Sequence, residues 1–368
     1  MAHDRDRDES LHGGIADLDA VGNLLQLEPL ARRVLPPEVF AYIAGGACDE
    51  RTVADARASY DRLALRPRVL VDVARRDRAT TVLGMPLANP FLVAPTAMHA
   101  LVHRRAELAT AAAAREAGSI MVLSTLSTTP VEAVAAAAGG ALWFQLYVYR
   151  DRGATAELLA RVQQAGARAL VVTVDAPMLG LRERDRAHGV SLPPGFRAPN
   201  VRADGESPAE ALGTYFASLV DPSLSWRDLA WLRAQTELPI VLKGVLRADD
   251  AARAVAEGVA GVVVSTHGGR QLDGAIATID ALPEIAEAVA ERAAVLLDGG
   301  IRRGTDVIKA LARGADAVLL GRPVLWGLAL GGQRGVAKVF ALLERELDVA
   351  MALCGCARLD DIDASLVR

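Results

Sequence analysis

A (β/α)₈ TIM barrel is the fold class that the sequence predicts, and the pattern of its short apolar segments is the main reason. Eight short runs rich in β-branched residues recur along the chain, and alanine-rich stretches of helical character lie between them. Continuous apolar strands that alternate with helices indicate a parallel sheet buried on both faces. Eight such units within residues 91–320 fit one barrel, whose usual length is about 250 residues, better than two doubly wound sheets.

The predicted elements run from an N-terminal helical extension at roughly residues 18–60 into the barrel. Residues 1–17 are charged and polar and predict a frayed tail, so that residues 18–368 form one domain. The predicted strands are Phe91–Ala94, Ile120–Leu123, Leu142–Tyr147, Ala169–Val174, Pro239–Leu242, Gly261–Val264, Ala294–Leu297 and Ala317–Leu320. The helices predicted between them include Glu107–Ala117, Pro130–Ala138, Thr155–Ala165, Asp249–Glu257, Ile279–Glu291 and Gly304–Ala312.

One predicted connection is much longer than the others. The fourth strand ends near Val174 and the fifth begins near Pro239, which leaves 65 residues (239 − 174) for a loop and a helix. Within it, Gly180–Asp221 is rich in proline, glycine and charge. Because long loops in compact domains are commonly functional, this segment predicts a mobile lid after strand four.

Charge and composition exclude several classes of partner. The 41 Lys and Arg residues against 45 Asp and Glu give a net charge of −4, so no basic field is available for nucleic acid or an anionic membrane. No apolar run approaches the roughly 20 residues of a spanning helix. Cys48, Cys354 and Cys356 are too few for a disulfide framework and lack partners at zinc spacing. We therefore predict a soluble cytoplasmic protein without a metal site.

Polar residues gather where the predicted strands end. Active-site residues of such barrels lie just beyond the C-terminal ends of the strands. The strand interiors carry almost no polar groups, whereas every end does, and caps and turns explain only part of that asymmetry. The strand-end residues are Pro95, Thr96, Ala97, Ser124, Thr125, Gln145, Tyr147, Thr173, Asp175, Lys243, Ser265, His267, Asp298, Gly299, Gly300, Gly321 and Arg322.

The last two strand ends predict a phosphate site. Gly299 and Gly300 precede Arg302 after the seventh strand, and Gly321 precedes Arg322 after the eighth. Glycines allow backbone N–H groups to approach an anion, and arginine binds its oxygens in a fork. Tight turns alone would explain either loop, but two such loops with an arginine each favour a phosphorylated ligand.

His267 and Arg270 follow the sixth strand and provide two complementary groups. An imidazole near pH 7 can take the proton of a hydroxyl, and a guanidinium can hold a carboxylate by two parallel hydrogen bonds. A lone histidine is more often structural than catalytic. The adjacent glycines and Arg270 favour a catalytic role here.

At this segment the sequence resembles a known family. Residues 265–273 are similar to the Ser-Asn-His-Gly-(Gly/Ala)-Arg-Gln-Leu-Asp signature of FMN-dependent α-hydroxy-acid oxidising enzymes, which include glycolate oxidase, lactate oxidase, mandelate dehydrogenase and hydroxymandelate oxidase. The resemblance extends in order from about Val34 to Leu359. It passes through Ala94–Met98, Trp143–Tyr147, Thr173–Pro177, Leu242–Gly244 and Asp298–Gly304.

The resemblance implies oxidation of an (S)-2-hydroxy acid to the 2-oxo acid, with O₂ as the acceptor, in a homotetramer. His267 matches the catalytic base, and Asp175 matches the carboxylate that orients it. Arg270 matches the arginine on the substrate carboxylate, Arg182 matches the one at the mouth of the site, and Tyr147 matches the tyrosine whose hydroxyl meets the substrate.

The resemblance also implies a set of residues around FMN. Lys243 matches the lysine that stabilises the anionic reduced flavin. Thr96 and Ala97, next to Pro95, would approach the isoalloxazine through backbone groups. The remaining cofactor-binding residues implied are Ser124, Gln145, Thr173 and Ser265 for the ring or ribityl chain, and Asp298, Gly299, Gly300, Arg302, Gly321 and Arg322 for the ribityl and phosphate.

Three positions depart from the family's pattern. Phe40 is interpreted as standing where many members carry a tyrosine that contacts the substrate carboxylate, which predicts one missing contact. Leu126 replaces a tryptophan of short-chain oxidases and predicts a wider, more apolar pocket, which favours an aromatic, mandelate-like substrate. Thr266 replaces the usual Asn before the catalytic histidine, and nothing in the sequence explains that change.

Three alternatives remain open at this point. The first is a 2-hydroxy-acid dehydrogenase that uses another acceptor, because oxidases and dehydrogenases of the family share these residues. The second is another FMN-binding barrel, such as an isomerase, which would share the phosphate loops but not need His267, Arg270, Tyr147 and Arg182. The third is a barrel that binds a flavin without turnover.

Overall fold

A closed barrel of eight parallel strands forms the centre of the protein. The computed structural model describes residues 18–188, 198–201 and 218–368. Each strand pairs with its neighbour in chain order and the last pairs with the first, which confirms the predicted (β/α)₈ fold. The barrel strands are β3 Phe91–Val93, β4 Ile120–Ser124, β5 Leu142–Leu146, β6 Leu170–Thr173, β7 Ile240–Val245, β8 Gly261–Val264, β9 Ala294–Asp298 and β10 Ala317–Leu320.

The predicted strand positions are right to within one to three residues at each end. The largest difference is in β7, which continues to Val245 with a register irregularity between Lys243 and Val245. An antiparallel hairpin precedes the barrel and was not predicted. Its two strands are β1 Thr80–Val82 and β2 Met85–Leu87.

Helices surround the barrel, and three more lie in the N-terminal extension. The extension contains α1 Leu27–Val34, α2 Pro37–Ala44 and α3 Arg51–Asp61. The helices that follow are α4 Ala106–Glu116, α5 Val131–Ala138, α6 Arg152–Gln164, α7 Glu183–Ala187, α8 Asp228–Gln235, α9 Ala248–Ala256, α10 Thr278–Val289, α11 Gly304–Ala312 and α12 Arg322–Cys354. The long α12, interrupted by non-helical backbone at Gly331 and Gly332, was not predicted.

The strand period of two decides which side chains enter the barrel. Ile120 and Val122 of β4 belong to the apolar cluster inside the barrel, and Met121 and Leu123 belong to the cluster between barrel and helices. The same alternation holds on the other strands. On each strand, the residue two positions after the last interior apolar residue also faces the inside of the barrel. These residues are Thr96, Ser124, Gln145, Thr173, Lys243, Ser265, Asp298 and Gly321. The interior rows therefore end in the polar groups that the sequence singled out.

Two predictions fall wholly or partly on residues that the structure does not describe. The frayed tail at residues 1–17 lies outside the described residues, as do residues 189–197 and 202–217 of the predicted lid. Within the lid range the structure describes α7 and short flanking stretches. Across the described residues, no helix is both long enough and apolar enough to cross a membrane.

Candidate active site

A cavity of about 320 Å³ lies at the C-terminal ends of the barrel strands. Residues from strands that are far apart in sequence meet there because all eight strands run in the same direction. Among the predicted site residues, only Phe40, Asp175 and Ser265 do not line this cavity. Those that line it are Pro95, Thr96, Ala97, Ser124, Leu126, Gln145, Tyr147, Thr173, Arg182, Lys243, His267, Arg270, Asp298, Gly299, Gly300, Arg302, Gly321 and Arg322.

His267 and Asp175 form a partly buried pair at the edge of the cavity. Nδ1 of His267 lies 2.9 Å from Oδ1 of Asp175, and Nε2 lies 3.3 Å from the hydroxyl of Tyr147. Gly244, at φ +109°, makes room for this carboxylate, because a Cβ there would lie 2.4 Å from Cβ of Asp175. Asp175 thus acts on the cavity through His267 rather than by lining it.

The protonation of this pair follows from burial and charge. Burial lowers the pKa of His267, and the carboxylate of Asp175 only partly opposes this effect, so the imidazole is neutral near pH 7. Burial raises the pKa of Asp175, but His267 and Lys243 outweigh it and hold that pKa below its usual value. Donation from Nδ1–H to the carboxylate leaves Nε2 free to accept a proton from the cavity.

Two arginines and two phenols lie beside this imidazole. Arg270 donates from Nη1 to the carbonyl oxygens of Tyr42 (2.6 Å) and Gly45 (2.9 Å), and its guanidinium carbon lies 4.9 Å from the centre of the Tyr42 ring. Burial and the charge of Arg270 lower the pKa of Arg182 to about 10, which still leaves it a cation. Burial raises the pKa of Tyr147, so its hydroxyl stays protonated and can donate. The group suits a small carboxylate.

Lys243 lines the cavity and is hydrogen-bonded to Ser265, the residue beside it on the next strand end. Lys243 Nζ donates to Asp298 Oδ2 (3.0 Å) and to Ser265 Oγ (2.8 Å). Although burial lowers the pKa of Lys243, Asp298 and Asp175 raise it above its usual value, so the side chain is charged. Ser265 Oγ also accepts from the backbone N–H of His267 (3.0 Å). These two bonds let Ser265 orient both Lys243 and His267, and its interpretation as a cofactor contact stays a prediction.

A chain of side-chain hydrogen bonds crosses three neighbouring strands on the opposite wall. Gln145 Nε2 donates to Thr173 Oγ1 (2.9 Å), and Ser124 Oγ donates to Gln145 Oε1 (3.3 Å). These three residues stand at the ends of β4, β5 and β6, whose register brings them side by side. These hydrogen bonds fix the orientation of the Gln145 amide at the cavity wall.

Two partly buried guanidinium groups, those of Arg302 and Arg322, lie at the other end of the cavity. Arg322 begins α12 and donates to the carbonyl oxygens of Ile43, Gly45 and Gly268. Burial and the nearby Arg270 and Arg302 lower its pKa to about 9. Within the described ranges, neither Arg302 nor Arg322 has a carboxylate at ion-pair distance. Two partly buried cations beside a helix N-terminus fit a phosphate, and the unpartnered Oδ1 of Asp298 fits a hydroxyl donor.

Residues that the sequence analysis missed support this phosphate end. Arg57 of α3 donates to the carbonyl oxygen of Gly300 (2.9 Å) and pairs with Asp306, which accepts from the backbone N–H groups of Arg302 and Arg303. A Cβ on Gly300 would lie 1.9 Å from the carbonyl oxygen of Ala56. Helix α3 of the N-terminal extension therefore packs directly against the loop after β9. No sequence motif marks Arg57, which lies in the predicted N-terminal helical extension.

Phe40 does not reach the cavity, which corrects its interpretation as a substrate-facing residue. Its ring stacks on Trp326, with ring centroids 5.2 Å apart. Tyr42, two residues later on α2, lines the cavity instead. Two residues along a helix correspond to a rotation of about 200° about its axis, which places the two side chains on nearly opposite faces. Only one of them can therefore face the site. The tyrosine on this side of the cavity is therefore Tyr42, and Phe40 gives no reason to expect a missing tyrosine contact.

The other two departures are placed as follows. Leu126 is buried at the cavity wall, as predicted, and its backbone oxygen accepts from the N–H of Met98 (3.3 Å). Thr266 is buried next to His267, and its Oγ1 has no hydrogen-bond partner among the described residues. Nothing in the structure explains why Thr266 stands at this position.

Comparison with known proteins gives consistent matches over most of the chain. Residues 31–368 match the family described as FMN-dependent dehydrogenase. An L-lactate oxidase of Nostoc sp. is 55% identical over 359 residues, which cover 94% of this chain and 98% of that protein. The human 2-hydroxyacid oxidase 1 is 47% identical over 350 residues, covering 93% of this chain and 95% of that protein.

The fold agrees with solved structures as well. A crystal structure of mandelate oxidase with (S)-2-phenylpropionate superimposes with a TM-score of 0.86 at 42% identity, covering 95% of this chain and 98% of the other. Identity at this level over nearly the whole of both chains extends beyond the fold alone. The chain therefore belongs to the FMN-dependent dehydrogenase family, and its cofactor is FMN.

Proposed function

We propose that this protein oxidises an (S)-2-hydroxy acid to the 2-oxo acid and passes the electrons through FMN to O₂, giving H₂O₂. The observation that carries the proposal is the neutral His267, paired with Asp175, in one cavity with Arg182, Arg270 and Tyr147. A 2-hydroxy acid offers a carboxylate to the arginines and a hydroxyl proton to a base. An isomerase that shares only the phosphate loops would not need this set.

Each side chain has a role that its geometry suits. Arg270 and Arg182 hold the substrate carboxylate, and Tyr147 donates to its oxygens. Nε2 of His267 takes the proton of the α-hydroxyl group as the C=O bond forms. Asp175 accepts from Nδ1–H and stabilises the imidazolium that results. The proton therefore ends on Nε2 of His267.

The cofactor would lie along the strand ends, from the two guanidinium groups to the imidazole. Arg302 and Arg322 would hold the phosphate, Asp298 a ribityl hydroxyl, and Gln145 and Lys243 polar atoms of the ring. Bound FMN supplies the acceptor for the two electrons and the hydrogen that leave the α-carbon. The charge of Lys243 favours the electron-rich state of the cofactor.

Two measurements test the activity itself. Adding a 2-hydroxy acid without oxygen should bleach the yellow flavin, and a protein that binds flavin without turnover would keep its colour. In air, one H₂O₂ per 2-oxo acid supports the oxidase, as the relatives' names suggest. A product ratio far below one, with fast turnover on an artificial dye, would favour a dehydrogenase that uses another acceptor.

Leu126 is the remaining support for an aromatic, mandelate-like substrate. Phe40 lends it no support, because that ring stacks on Trp326 and does not line the cavity. Leu126 still leaves room that a tryptophan would fill, and Leu179 adds apolar surface nearby. A small substrate such as lactate is the second candidate, and the 55% identity to a lactate oxidase favours it.

Leu126→Trp separates these substrates. Burying a phenyl ring contributes roughly 1.5–3 kcal/mol, or about 10- to 150-fold in kcat/KM. We expect the substitution to lower kcat/KM for mandelate by at least about tenfold and for lactate by less than about threefold. Leu181→Trp, at an exposed leucine, is the matched control and should change neither. Lactate exceeding mandelate in the unsubstituted protein would contradict the aromatic preference.

Arg302→Met should weaken FMN binding through the phosphate alone. Hydrogen bonds to charged groups contribute roughly 1.5–3 kcal/mol, so the Kd for FMN should rise about 10- to 150-fold. Riboflavin lacks the phosphate, and its Kd should stay within about twofold. Arg303→Met is the control, since Arg303 pairs with Glu346 away from the cavity. Equal losses for FMN and riboflavin would show that Arg302 does not bind the phosphate.

The cytoplasmic location and the tetramer stay predictions. Exposed apolar side chains such as Val69, Leu70 and Leu353 support a homo-oligomer. They do not fix the number of subunits.

A further inference from the structure

A buried hydrogen-bond relay lies behind Thr96, outside the groups that contact the substrate. His99 stands in a 3₁₀ turn after the first barrel strand and is fully buried. Its Nε2 lies 2.8 Å from Thr96 Oγ1, and its Nδ1 lies 3.0 Å from Oγ1 of Thr110, on α4. Thr96 is the member of this relay that lines the cavity. The relay therefore joins the cavity wall to a surrounding helix.

Glu107 holds the relay in place. One carboxylate oxygen accepts from the backbone N–H groups of His99 (3.2 Å) and Thr128 (2.9 Å). The other accepts from the hydroxyls of Thr128 (2.6 Å) and Thr129 (2.7 Å). Burial raises the pKa of Glu107, but the electrostatic interaction with His99 and the hydrogen bonds from Thr128 and Thr129 outweigh it and hold that pKa below its usual value. The carboxylate thus fixes the loop that carries Thr96 and His99 against the loop after β4.

The direction of the hydrogen bonds follows from Thr110. In the described part of the chain, His99 Nδ1 is the only partner of the Thr110 hydroxyl. A buried hydroxyl hydrogen without an acceptor is costly, so Thr110 donates to Nδ1. A neutral imidazole that accepts at Nδ1 carries its hydrogen on Nε2. Nε2–H of His99 therefore donates to Thr96 Oγ1.

The charge state of His99 does not reverse this direction. Burial lowers its pKa, while the carboxylate of Glu107 and a hydrogen bond to the backbone of Thr96 oppose that effect; the net pKa lies below the usual value, so the ring is neutral near pH 7. A protonated ring would also carry a hydrogen on Nε2. Both states leave Thr96 Oγ1 as an acceptor towards His99, and its own hydrogen has no other partner among the described residues.

We propose that His99 is a positioning residue for the cofactor: by donating to Thr96, it turns the Thr96 hydroxyl hydrogen into the cavity, towards an acceptor atom of the isoalloxazine ring. This inference rests on the flavin placement proposed above. It assigns the Thr96 side chain a role beyond the backbone approach that the family resemblance implies. A donor at a ring heteroatom stabilises the electron-rich reduced ring and raises its midpoint potential.

Thr96→Val and His99→Leu test the relay at its two ends. Valine keeps the shape of threonine and removes the hydroxyl. Because one neutral hydrogen bond is involved, each variant should lower the equilibrium constant for flavin reduction, measured against a reference dye, about two- to tenfold. The double variant should fall no further than either single variant, since both remove the same hydrogen bond.

His99→Gln is the rescue variant, because its amide can accept from Thr110 and donate to Thr96. We expect it to restore the midpoint potential to within about twofold in the equilibrium constant. Ser119→Ala is the control: this buried hydroxyl donates to the carbonyl oxygen of Phe91 (2.7 Å), far from the cavity, and its loss should affect only thermal stability. Unchanged potentials in Thr96→Val, or additive losses in the double variant, would overturn the relay.

The same samples separate this inference from the proposed function. If the unsubstituted protein binds FMN but no 2-hydroxy acid reduces it, the proposed function fails, while the dye measurement still reports on the relay. If a 2-hydroxy acid reduces it normally and Thr96→Val leaves the potential unchanged, the relay alone fails.

Discussion

His267→Ala should keep its FMN and lose nearly all reduction of that FMN by a 2-hydroxy acid. Loss of a general base commonly costs about 10²- to 10⁴-fold in rate. Alanine removes the imidazole of His267, which lines the cavity with Nε2 3.3 Å from the Tyr147 hydroxyl. Stopped-flow absorbance without oxygen measures the reduction step directly, and the visible spectrum before mixing gives the FMN content.

The pH profile makes this test more specific. Because burial lowers the pKa of His267, the reduction rate should fall with acidification only below pH 6.5, where the imidazole becomes protonated. The alanine variant should lack this transition. His188→Ala, at an exposed histidine just after α7, is the control and should retain both rate and profile. A variant rate within tenfold of normal, or an unchanged transition, would count against His267 as the base.

Arg270→Lys should lower kcat/KM for 2-hydroxy acids by about 30- to 5000-fold. Losing one partner of a buried charge pair costs roughly 2–5 kcal/mol. Lysine keeps the charge but not the fork that donates to the carbonyl oxygens of Tyr42 and Gly45 while offering further N–H groups to a carboxylate. Steady-state kinetics with the acid and its methyl ester provide the measurement.

The ester distinguishes recognition of the carboxylate from general damage. It lacks the anion, so Arg270→Lys should lower its kcat/KM by less than about threefold. Arg184→Lys is the matched control on α7, because Arg184 pairs with Glu50 and does not line the cavity. Equal losses for acid and ester would show that Arg270 supports the site without binding the carboxylate.

Strand positions and the residues at strand ends could be predicted because their signals are local. A run such as Ile120–Leu123 is apolar throughout, and the polar residue after it marks the end of the strand. Alternation along a strand then decides which side chains face inwards, so Ser124, Gln145 and Thr173 point to the same interior. Parallel closure brings all such ends to one mouth.

The N-terminal extension shows where this reasoning stops. The sequence predicts helices there, but the face that each helix turns to the barrel depends on how it docks. On α2 the docked face carries Tyr42, and Phe40 packs on Trp326 of α12, a helix that was itself not predicted. On α3 it carries Arg57, which supports the loop after β9 through Gly300 and Asp306.

The sequence by itself determined the barrel, the order of its strands and the chemistry at their ends, because both the strand period and the motif around His267 are properties of neighbouring residues. Only the tertiary structure decided that Tyr42 rather than Phe40 faces the cavity. It also decided that Ser265 bonds to Lys243 and that His99 bonds to Thr96. These contacts depend on how helices and turns dock on the barrel. Docking depends on packing between segments that are far apart in the chain, and local sequence patterns do not predict that packing.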